Sequence, residues 1–430
     1  MPRYLISSRL RIASRLVNDL KYFGEERSVI FAKSEIDSSF IDQISSLSGQ
    51  NLRLCFQCSQ CTSSCPISYV DSFNIRKLIR ELQFGLKEKI LRDDDIWKCT
   101  MCYECYDRCP NDVNIPKIIA ALRKLAIDEG LGPKAVLDAE KNILESANVF
   151  NLDEEAKGLA LEDMKDRLAA KRISFPTKPK AKVVYFPGCL SLYLNRAQEI
   201  ACSIIAILNK VKENWTFLEE LKCCGHPLIL TGAFSETDIK KIAEWNVDQI
   251  EKSGAKRLVT GCPGCFQAFK EEYPKILRRE LNFEVVHFIQ LLNEYIDKRR
   301  LQRPRKLIER VTFHDPCELG RVGGVFDEPR ELLLKKKLVS RFVESEESLR
   351  NSRCCGAGGF LKSTHEELSN NLANERIKTL IKTKTGLHVP ICITACPSCK
   401  LNLMDAALRN NDELKIMDIA DLVAQQLKLL

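Results

Sequence analysis

The segment Cys55-Phe56-Gln57-Cys58-Ser59-Gln60-Cys61-Thr62-Ser63-Ser64-Cys65-Pro66 spaces its cysteines as C-x2-C-x2-C-x3-C-P. Cys99, Cys102, Cys105 and Cys109-Pro110 repeat this spacing. Cysteines every third residue on a tight loop can reach three irons of one cubane cluster, and the fourth cysteine, turned away by proline, ligates the other cluster. The pattern therefore predicts two cubane [4Fe–4S] clusters. We expect the first on Cys55, Cys58, Cys61 and Cys109, and the second on Cys99, Cys102, Cys105 and Cys65.

Zinc is the alternative ligand for such motifs. Zinc sites usually separate their CxxC pairs by a dozen or more residues and need four ligands, so eight crowded cysteines favour iron–sulfur. Apolar residues at helical spacing follow each motif, with Pro116 near the first turn of the second helix. They are Ile75, Leu78, Ile79 and Leu82, then Ile115, Ile118, Ile119, Leu122 and Leu125. We predict a helical, two-cluster ferredoxin-like domain over about 41–132.

The chain beyond residue 180 contains an internal repeat. The first copy opens with the β-like run Val183–Phe186 and the second with Val311–His314, and both runs lead to a cysteine. Cys189, Cys223, Cys224, Cys262 and Cys265 belong to the first copy, and Cys317, Cys354, Cys355, Cys396 and Cys399 to the second. Short apolar strands alternate with helical segments such as Ala197–Leu208 and Leu368–Ile381. This alternation predicts two parallel α/β modules related by a pseudo-twofold, with their sites at the carboxyl ends of strands.

Each module carries one cysteine more than the corners of a cubane require. Neighbouring side chains of an extended segment point in opposite directions, so the pairs Cys223-Cys224 and Cys354-Cys355 suit an opened cluster with a bridging thiolate. Gly225 and Gly356 allow the backbone to turn sharply towards the metal. Two further cysteines, Cys202 and Cys392, lie within an apolar helix and a strand, and we interpret them as core thiols.

The composition limits the class of protein. The chain has 430 residues, of which 45% are hydrophobic and 29% charged, and this excludes a disordered, collagenous or coiled-coil protein. No run approaches 18 uncharged apolar residues, and arginines at positions 3, 9, 11 and 15 interrupt any signal peptide. We therefore predict a cytoplasmic protein and leave open a position on the inner face of the membrane. Its 20 cysteines then favour metal ligation over disulfides.

The net charge of +8 gives a weak signal about partners. Each [4Fe–4S] cluster on four thiolates carries about −2, so two such sites would offset roughly half of the formal charge. The sequence carries no recognisable nucleic-acid-binding motif and only 7% aromatic residues, so we expect no nucleic acid.

The remaining segments join or extend these units. Residues 1–40 form a predicted N-terminal helical extension, which packs on its own protein or contacts a partner or an anionic membrane surface. Residues 133–180 are a predicted linker with helical stretches such as Ala135–Leu144. We place the two modules at 181–303 and 304–430. The basic stretch 298–306 between them is interpreted as a solvated linker, with docking of an acidic partner as the alternative.

Each module contains a Cys-Cys-Gly (CCG) motif, at 223–225 and at 354–356. The two CCG modules resemble the catalytic subunit of heterodisulfide reductase. Residues 48–58 and 95–99 are similar to its ferredoxin-like subunit, so the chain from about residue 41 resembles the fused, D-type subunit. The resemblance implies two noncubane [4Fe–4S] clusters on the ten module cysteines. It also implies the mixed disulfide of coenzyme M and coenzyme B as substrate, and a flavin-containing or cytochrome b-type subunit as electron donor. Peripheral membrane association would then occur through that partner.

One position departs from the family. In close relatives the cysteine matching Cys317 is often followed by histidine, whereas here Glu318 follows it. A buried carboxyl group can also deliver protons. Reduction of a disulfide takes two electrons and two protons, and two clusters facing one pocket could each supply one electron. The candidate proton donors are His226, His314 and Glu318, and Arg321 is either a contact for anionic substrate groups or a structural partner.

Two functions from different classes follow from the sequence. In the first, the chain is a catalytic disulfide reductase that receives electrons through the two cubane clusters. In the second, it is an electron-transfer and docking subunit of a membrane-linked dehydrogenase or a sulfur-metabolism complex. The complete set of ten CCG cysteines favours the first.

Overall fold

The computed structural model describes residues 36–302, 306–381 and 388–430. The helix predicted near the N-terminus, and Arg303 and Arg305 of the basic stretch, lie outside the described residues. In these three ranges, no helix combines the length and the apolar character needed to cross a bilayer.

The first part of the chain is helical, as the two cysteine motifs predict. Its helices are α1 (Phe40–Ser48), α2 (Gln60–Ser64), α3 (Ile75–Gln83), α4 (Lys87–Arg92), α5 (Asp95–Lys98), α6 (Glu104–Asp107) and α7 (Ile115–Asp128). The helices α3 and α7 both begin after an asparagine, Asn74 or Asn114, whose side chain accepts a hydrogen bond from the backbone N–H three residues later. Each motif is therefore followed by a helix with a fixed start, and the buried faces of these helices form one hydrophobic core.

Two helices connect this domain to the α/β modules. Helix α8 (Lys134–Ser146) and helix α9 (Glu154–Ala170) lie within the predicted linker. Helix α9 buries Met164 and Leu168 completely in the core of the α/β region. This part of the predicted linker is therefore packed as an integral layer of the protein.

The first module is a parallel sheet with helices on its faces. Its strands are β1 (Val183–Phe186), β2 (Trp215–Thr216), β3 (Arg257–Thr260) and β4 (Glu284–His287), in the order β2-β1-β3-β4. Its helices are α10 (Gly188–Tyr193), α11 (Asn195–Lys210), α12 (His226–Thr231), α13 (Glu236–Lys252), α14 (Pro263–Gln267), α15 (Tyr273–Leu277) and α16 (Phe288–Asp297). A short π-helical turn, Ala268–Glu272, lies between α14 and α15.

The second module repeats this topology. Its strands are β5 (Leu307–Phe313), β6 (Val339–Phe342), β7 (Ile391–Thr394) and β8 (Lys415–Asp418), in the order β6-β5-β7-β8 and again all parallel. Its helices are α17 (Asp327–Arg330), α18 (Leu361–Thr364), α19 (Glu366–Ile381), α20 (Pro397–Arg409) and α21 (Ile419–Gln426). Two π-helical turns (Glu318–Val322 and Glu331–Lys335) and a 3-10 turn (Leu349–Asn351) complete it. The predicted fold, a helical domain followed by two repeated parallel α/β modules, is confirmed.

The last helix of each module begins with the same capping arrangement. Helix α16 starts after His287, whose ring accepts a hydrogen bond from the backbone N–H of Ile289. The backbone N–H of His287 in turn donates to the side chain of Gln290. Helix α21 starts after Asp418, and Asp421 has the corresponding role. Because each cap follows the last strand of its sheet directly, both helices leave their sheets in the same way.

The two modules bury one continuous core between them. Apolar residues of both sheets belong to a single cluster, with α11 of the first module packed against α21 of the second. Polar contacts cross this interface: Ser203 Oγ donates to Asp421 at 2.9 Å, and Lys400 Nζ donates to Glu199 at 3.0 Å. Lys400 also donates to Asp421 within its own module at 2.8 Å. The modules therefore form one unit in which the two sheets have fixed relative positions.

Arg123, on helix α7, joins the helical domain to both modules. Its guanidinium is completely buried and donates to the carbonyl oxygens of Ile96, Trp97 and Cys99 at 2.7–3.3 Å. It also donates to Leu230 of the first module at 3.2 Å and to Gly359 of the second at 3.1 Å. One charged side chain thus satisfies carbonyl groups that would otherwise be buried without partners.

We expect Arg123→Met to destabilise the protein by more than about 3 kcal/mol, because several buried carbonyl groups lose a charged donor at once. The control is Arg92→Met, which removes an exposed side chain paired with Glu88 and should cost less than about 1 kcal/mol. Anaerobic thermal unfolding of both variants checks this. Similar midpoints for the two variants would contradict the role given to Arg123.

Candidate metal centre

The cysteines of the α/β modules follow the central strands. Strands β1 and β3 end just before Cys189 and Cys262, and strands β5 and β7 end shortly before Cys317 and Cys396. In a parallel sheet the carboxyl ends of neighbouring strands lie at one edge, so each sheet brings two cysteine-bearing loops together. The vicinal pairs Cys223-Cys224 and Cys354-Cys355 lie in other loops of their modules and approach Cys265 and Cys399, respectively.

The cysteines assigned to the first cubane line one cavity. Cys55, Cys58, Cys61 and Cys109 all border it, although Cys109 comes from the second motif. Val113 donates its backbone N–H to Cys109 Sγ at 3.3 Å. Cys58 is exposed, so this cavity lies near the surface. The structure thus brings these four side chains around one cavity.

The cysteines assigned to the second cubane lie deeper. Cys65, Cys99, Cys102 and Cys105 are all buried. Burial raises the pKa of the Cys65 thiol, and the nearby charges of Cys102 and Cys99 raise it further. Four buried thiols crowded in this way suit a metal cluster, whose positive irons favour the thiolate form.

Both cysteine loops contain the same unusual backbone. Gln57 and Ser59 in the first motif, and Met101 and Tyr103 in the second, have φ angles between 55° and 72°. This left-handed conformation costs a non-glycine residue about 1–2 kcal/mol. The loops adopt it twice at equivalent positions, which turns three cysteines towards one centre.

The second cysteine of each vicinal pair has the central position in its module. Cys224 accepts hydrogen bonds from Cys223 and Cys265, which lower its pKa to about 6. Hydrogen bonding with Cys354 and Cys399 lowers the pKa of Cys355 to about 5, and the sulfurs of Cys355 and Cys399 are 3.3 Å apart. A thiolate between two neighbouring cysteines has the arrangement expected of a bridging ligand.

The second cysteine motif directly contacts the second module. The Cys102 thiol hydrogen-bonds with that of Cys354, which also hydrogen-bonds with Cys317. Gly358 and Gly359 permit this approach, because a Cβ on either residue would meet the backbone of Cys99–Thr100. The corresponding residues of the first module, Pro227 and Leu228, are not glycines. The helical domain and the second module therefore bring their cysteines into contact.

Arg321 is a structural partner at this contact. Its side chain is almost fully buried and donates to Glu104 Oε2 at 2.7 Å, to the carbonyl oxygen of Cys102 at 3.1 Å and to that of Ser352. Burial raises the pKa of Glu104 to about 7, although Arg321 opposes this. With its donors used by the protein, Arg321 is not placed to hold an anionic substrate.

A histidine–carboxylate pair links the two modules. His226 Nε2 lies 2.9 Å from Glu318 Oε1, and Glu318 directly follows Cys317 in the chain. Burial opposes protonation of His226, but the Glu318 carboxylate outweighs it and raises the pKa of the imidazole. The charges of both residues act on the Cys262 thiol, so the pair lies between the two cysteine sets.

His314 is separated from this pair. It is completely buried, and its Nδ1 accepts a hydrogen bond from Arg376 Nε at 3.1 Å. Burial and the charge of Arg376 lower the pKa of His314 well below its usual value. A ring nitrogen of His314 and the sulfurs of Cys355 and Cys399 lie within 4.8 Å of one another.

Two cysteines are buried among apolar side chains. Cys202 and Cys392 belong to hydrophobic clusters, as expected for core thiols. Burial raises the pKa of Cys202 to about 11 and that of Cys392 to about 12.

Sequence reasoning missed Arg123, Arg376 and Glu104. Each is a charged residue that is buried in the structure, and nothing in its local pattern separates it from exposed residues of the same type. The double glycine at 358–359 was a usable signal, because it has no counterpart in the first copy of the repeat.

The chain matches two protein-family models. The 4Fe-4S dicluster domain matches residues 51–113, and the cysteine-rich domain CCG matches residues 183–270 and 311–404. These families indicate two [4Fe–4S] clusters in the helical domain and iron–sulfur binding in the modules.

Several curated proteins are similar over most of the chain. The D subunit of dihydromethanophenazine:CoB--CoM heterodisulfide reductase from Methanosarcina barkeri is 33% identical, over 88% of this chain and 94% of that protein. The B subunit of fumarate reductase (CoM/CoB) from Methanothermobacter marburgensis is 30% identical, over 87% of this chain and 72% of that protein. EtfAB:quinone oxidoreductase of Syntrophomonas wolfei is 27% identical, over 80% of this chain and 48% of that protein.

We expect Gly359→Ala to weaken the contact between the helical domain and the second module, because the new Cβ would overlap the Cys99 carbonyl oxygen. The control is Gly130→Ala, since Gly130 has a similar positive φ but open space around its Cβ position among the described residues. The left-handed backbone alone should cost the alanine in the control about 1–2 kcal/mol. Thermal unfolding should show a clearly larger loss for Gly359→Ala, and equal losses would mean that the close approach is unimportant.

Proposed function

Because the chain belongs to the family of heterodisulfide reductase D-type subunits, we propose that it reduces a disulfide of the coenzyme M–coenzyme B type to two thiols. The reaction is RS–SR′ + 2e− + 2H+ → RSH + R′SH. The observation that carries this proposal is the His226–Glu318 pair between the two five-cysteine sets. In this proposal the pair donates the protons that the two thiol products require.

The ligand sets support four clusters. We assign the two cubane clusters to the eight cysteines of the helical domain and one noncubane cluster to each module. The central thiols of Cys224 and Cys355 support the noncubane form, because each contacts two neighbouring cysteines. When bound, the clusters supply single electrons and iron that can accept sulfur.

The burial of the cysteines suggests the direction of electron flow. Cys58 and the side chain of Phe56 are exposed, so a donor protein can approach the first set. The second set is buried and contacts Cys354 of the second module. We infer that electrons enter at the first set from a flavin-containing or cytochrome b-type subunit, and that this partner provides any attachment to a membrane.

Protons have a separate route in this proposal. Each thiolate product needs one proton, and a positioned acid speeds such a step by about 10²–10⁴. His226 holds a proton between its Nε2 atom and Glu318. His314 was a further candidate, but its complete burial and its contact with Arg376 make it unsuitable for exchange with solvent.

Electron relay is the second candidate function. The similarity to an EtfAB:quinone oxidoreductase supports it, because that protein transfers electrons between EtfAB and a quinone. The ion pair of Arg321 with Glu104 also favours the structural alternative for Arg321 over contact with an anionic substrate. In this alternative, the module clusters pass electrons to a partner and bind no disulfide.

We expect the anaerobically purified chain to hold about sixteen irons, and Cys224→Ser and Cys355→Ser each to lose about four. The reason is that each vicinal cysteine belongs to one local set. Cys202→Ala is the control, since its thiol lies in the hydrophobic core, and it should keep the full iron content. Iron and acid-labile sulfide analysis gives the measurement, and about eight irons in the unmodified protein would contradict clusters in the modules.

We expect a reduced viologen dye to drive cleavage of coenzyme M–coenzyme B disulfide by this chain, with release of two thiols. Glu318→Gln should lower turnover at least about tenfold, because the pair loses its carboxylate. Glu309→Gln removes an exposed carboxylate of the same module and should leave turnover unchanged.

The variant Glu318→His tests the same position with another proton donor. Turnover equal to or above that of the unmodified chain would support proton delivery at residue 318. A fully metallated protein that does not cleave this disulfide, with either residue at position 318, would favour electron relay.

A further inference from the structure

A buried histidine faces the cysteines of the second module. His314 follows strand β5, and one of its ring nitrogens lies within 4.8 Å of the sulfurs of Cys355 and Cys399. Its side chain is completely buried. The contact is therefore a fixed feature of the protein interior, away from the His226–Glu318 pair.

The neighbouring Arg376 determines which nitrogen carries the proton. Arg376 is also completely buried, and its Nε donates to His314 Nδ1 at 3.1 Å. A guanidinium has no acceptor and stays protonated in proteins, so Nδ1 must be the unprotonated acceptor. In the neutral imidazole the remaining proton is then on Nε2. A protonated Nε2 can donate a hydrogen bond but cannot ligate iron.

The Nε2 atom has no hydrogen-bond partner among the described residues. A buried N–H group without a partner is costly, and natural proteins rarely leave one unsatisfied. The Cys355 and Cys399 sulfurs, which lie within 4.8 Å of a ring nitrogen of His314, are the candidate acceptors. Cluster thiolates commonly accept such hydrogen bonds, which help to set the reduction potential.

The first module has no equivalent donor at this position. Phe186 is the residue of the first copy that corresponds to His314, since both residues end the opening run of their copy. Phe186 packs edge-on against Phe269, with ring centroids 5.1 Å apart. The two cysteine sets are therefore similar in ligands but different in their surroundings.

We propose that His314, held as the Nε2–H tautomer by Arg376, donates a hydrogen bond to the Cys355 and Cys399 thiolates and makes the second-module cluster the more easily reduced of the two. This inference rests on the proposed assignment of a cluster to each module. A donor hydrogen bond stabilises the more negative, reduced state of a cluster and raises its potential. The second module is also the one that contacts the second cubane set through Cys102. His314 is thus a positioning residue for the order in which the clusters are reduced.

The test is a redox titration of the full, anaerobically purified chain, followed by electron-paramagnetic resonance. His314→Phe copies the residue of the first module, and it should move one module signal to a more negative potential while the other signals keep theirs. His314→Gln retains an N–H group near the position of Nε2 and should restore much of the shift. Unchanged potentials in His314→Phe, or equal shifts in both variants, would overturn the proposal.

A second measurement compares the unmodified protein with His314→Phe, because His226 also lies near a module cysteine. With ¹⁵N-labelled histidine, pulsed electron-paramagnetic resonance should detect weak nitrogen coupling to the second-module cluster that is lost in His314→Phe. Strong coupling would mean that His314 ligates iron, and no coupling would mean that it makes no contact, so both results overturn the proposal. Iron content separates this test from the proposed function: missing module clusters defeat the assignment itself, whereas intact clusters with no nitrogen coupling defeat the role of His314 alone.

Discussion

The arrangement of the cysteines depends on hydrogen bonds from one buried cation. Arg123 fixes the carbonyl oxygen of Cys99, and with it the start of the second cysteine motif. The same guanidinium holds the backbone of Gly359, only four residues after Cys355. Two cysteine sets far apart in sequence therefore share one reference point. A cation suits this task because one guanidinium offers five N–H donors in a fixed plane.

The repeat shows how one topology can hold two different sites. Both modules have the same strand order and the same five-cysteine pattern. Substitutions at equivalent positions make the difference: glycines at 358–359 admit the helical domain, whereas Pro227 and Leu228 occupy those positions in the first module. His314 and Phe186 form a second such pair. The copies are thus specialised by their immediate surroundings, while the sheets keep the shared geometry.

Much of the fold could be predicted from the sequence because its signals are local. Cysteine spacing predicts the helical domain, and the run Val183–Phe186 coincides with strand β1. The contact between Cys102 and Cys354 was not predictable, because it depends on packing between residues about 250 positions apart. Strand β2 has just two residues, too short for any periodicity. The contacts of Arg321 and Arg376 were not predictable either. Both side chains are buried against residues distant in the chain, and a charged residue carries no local sign of burial.

The exposure of Cys58 has a consequence for the chemical durability of the protein. Solvent reaches this thiol, whereas Cys65, Cys99, Cys102 and Cys105 are shielded by packed side chains. Dioxygen, peroxide and chelators therefore meet the first ligand set of the helical domain before they meet the second. Damage that begins there would interrupt the supply of electrons and leave the deeper iron in place. A sample handled in air would then look brown and well folded and yet be inert, so colour alone is a poor guide to the intact protein.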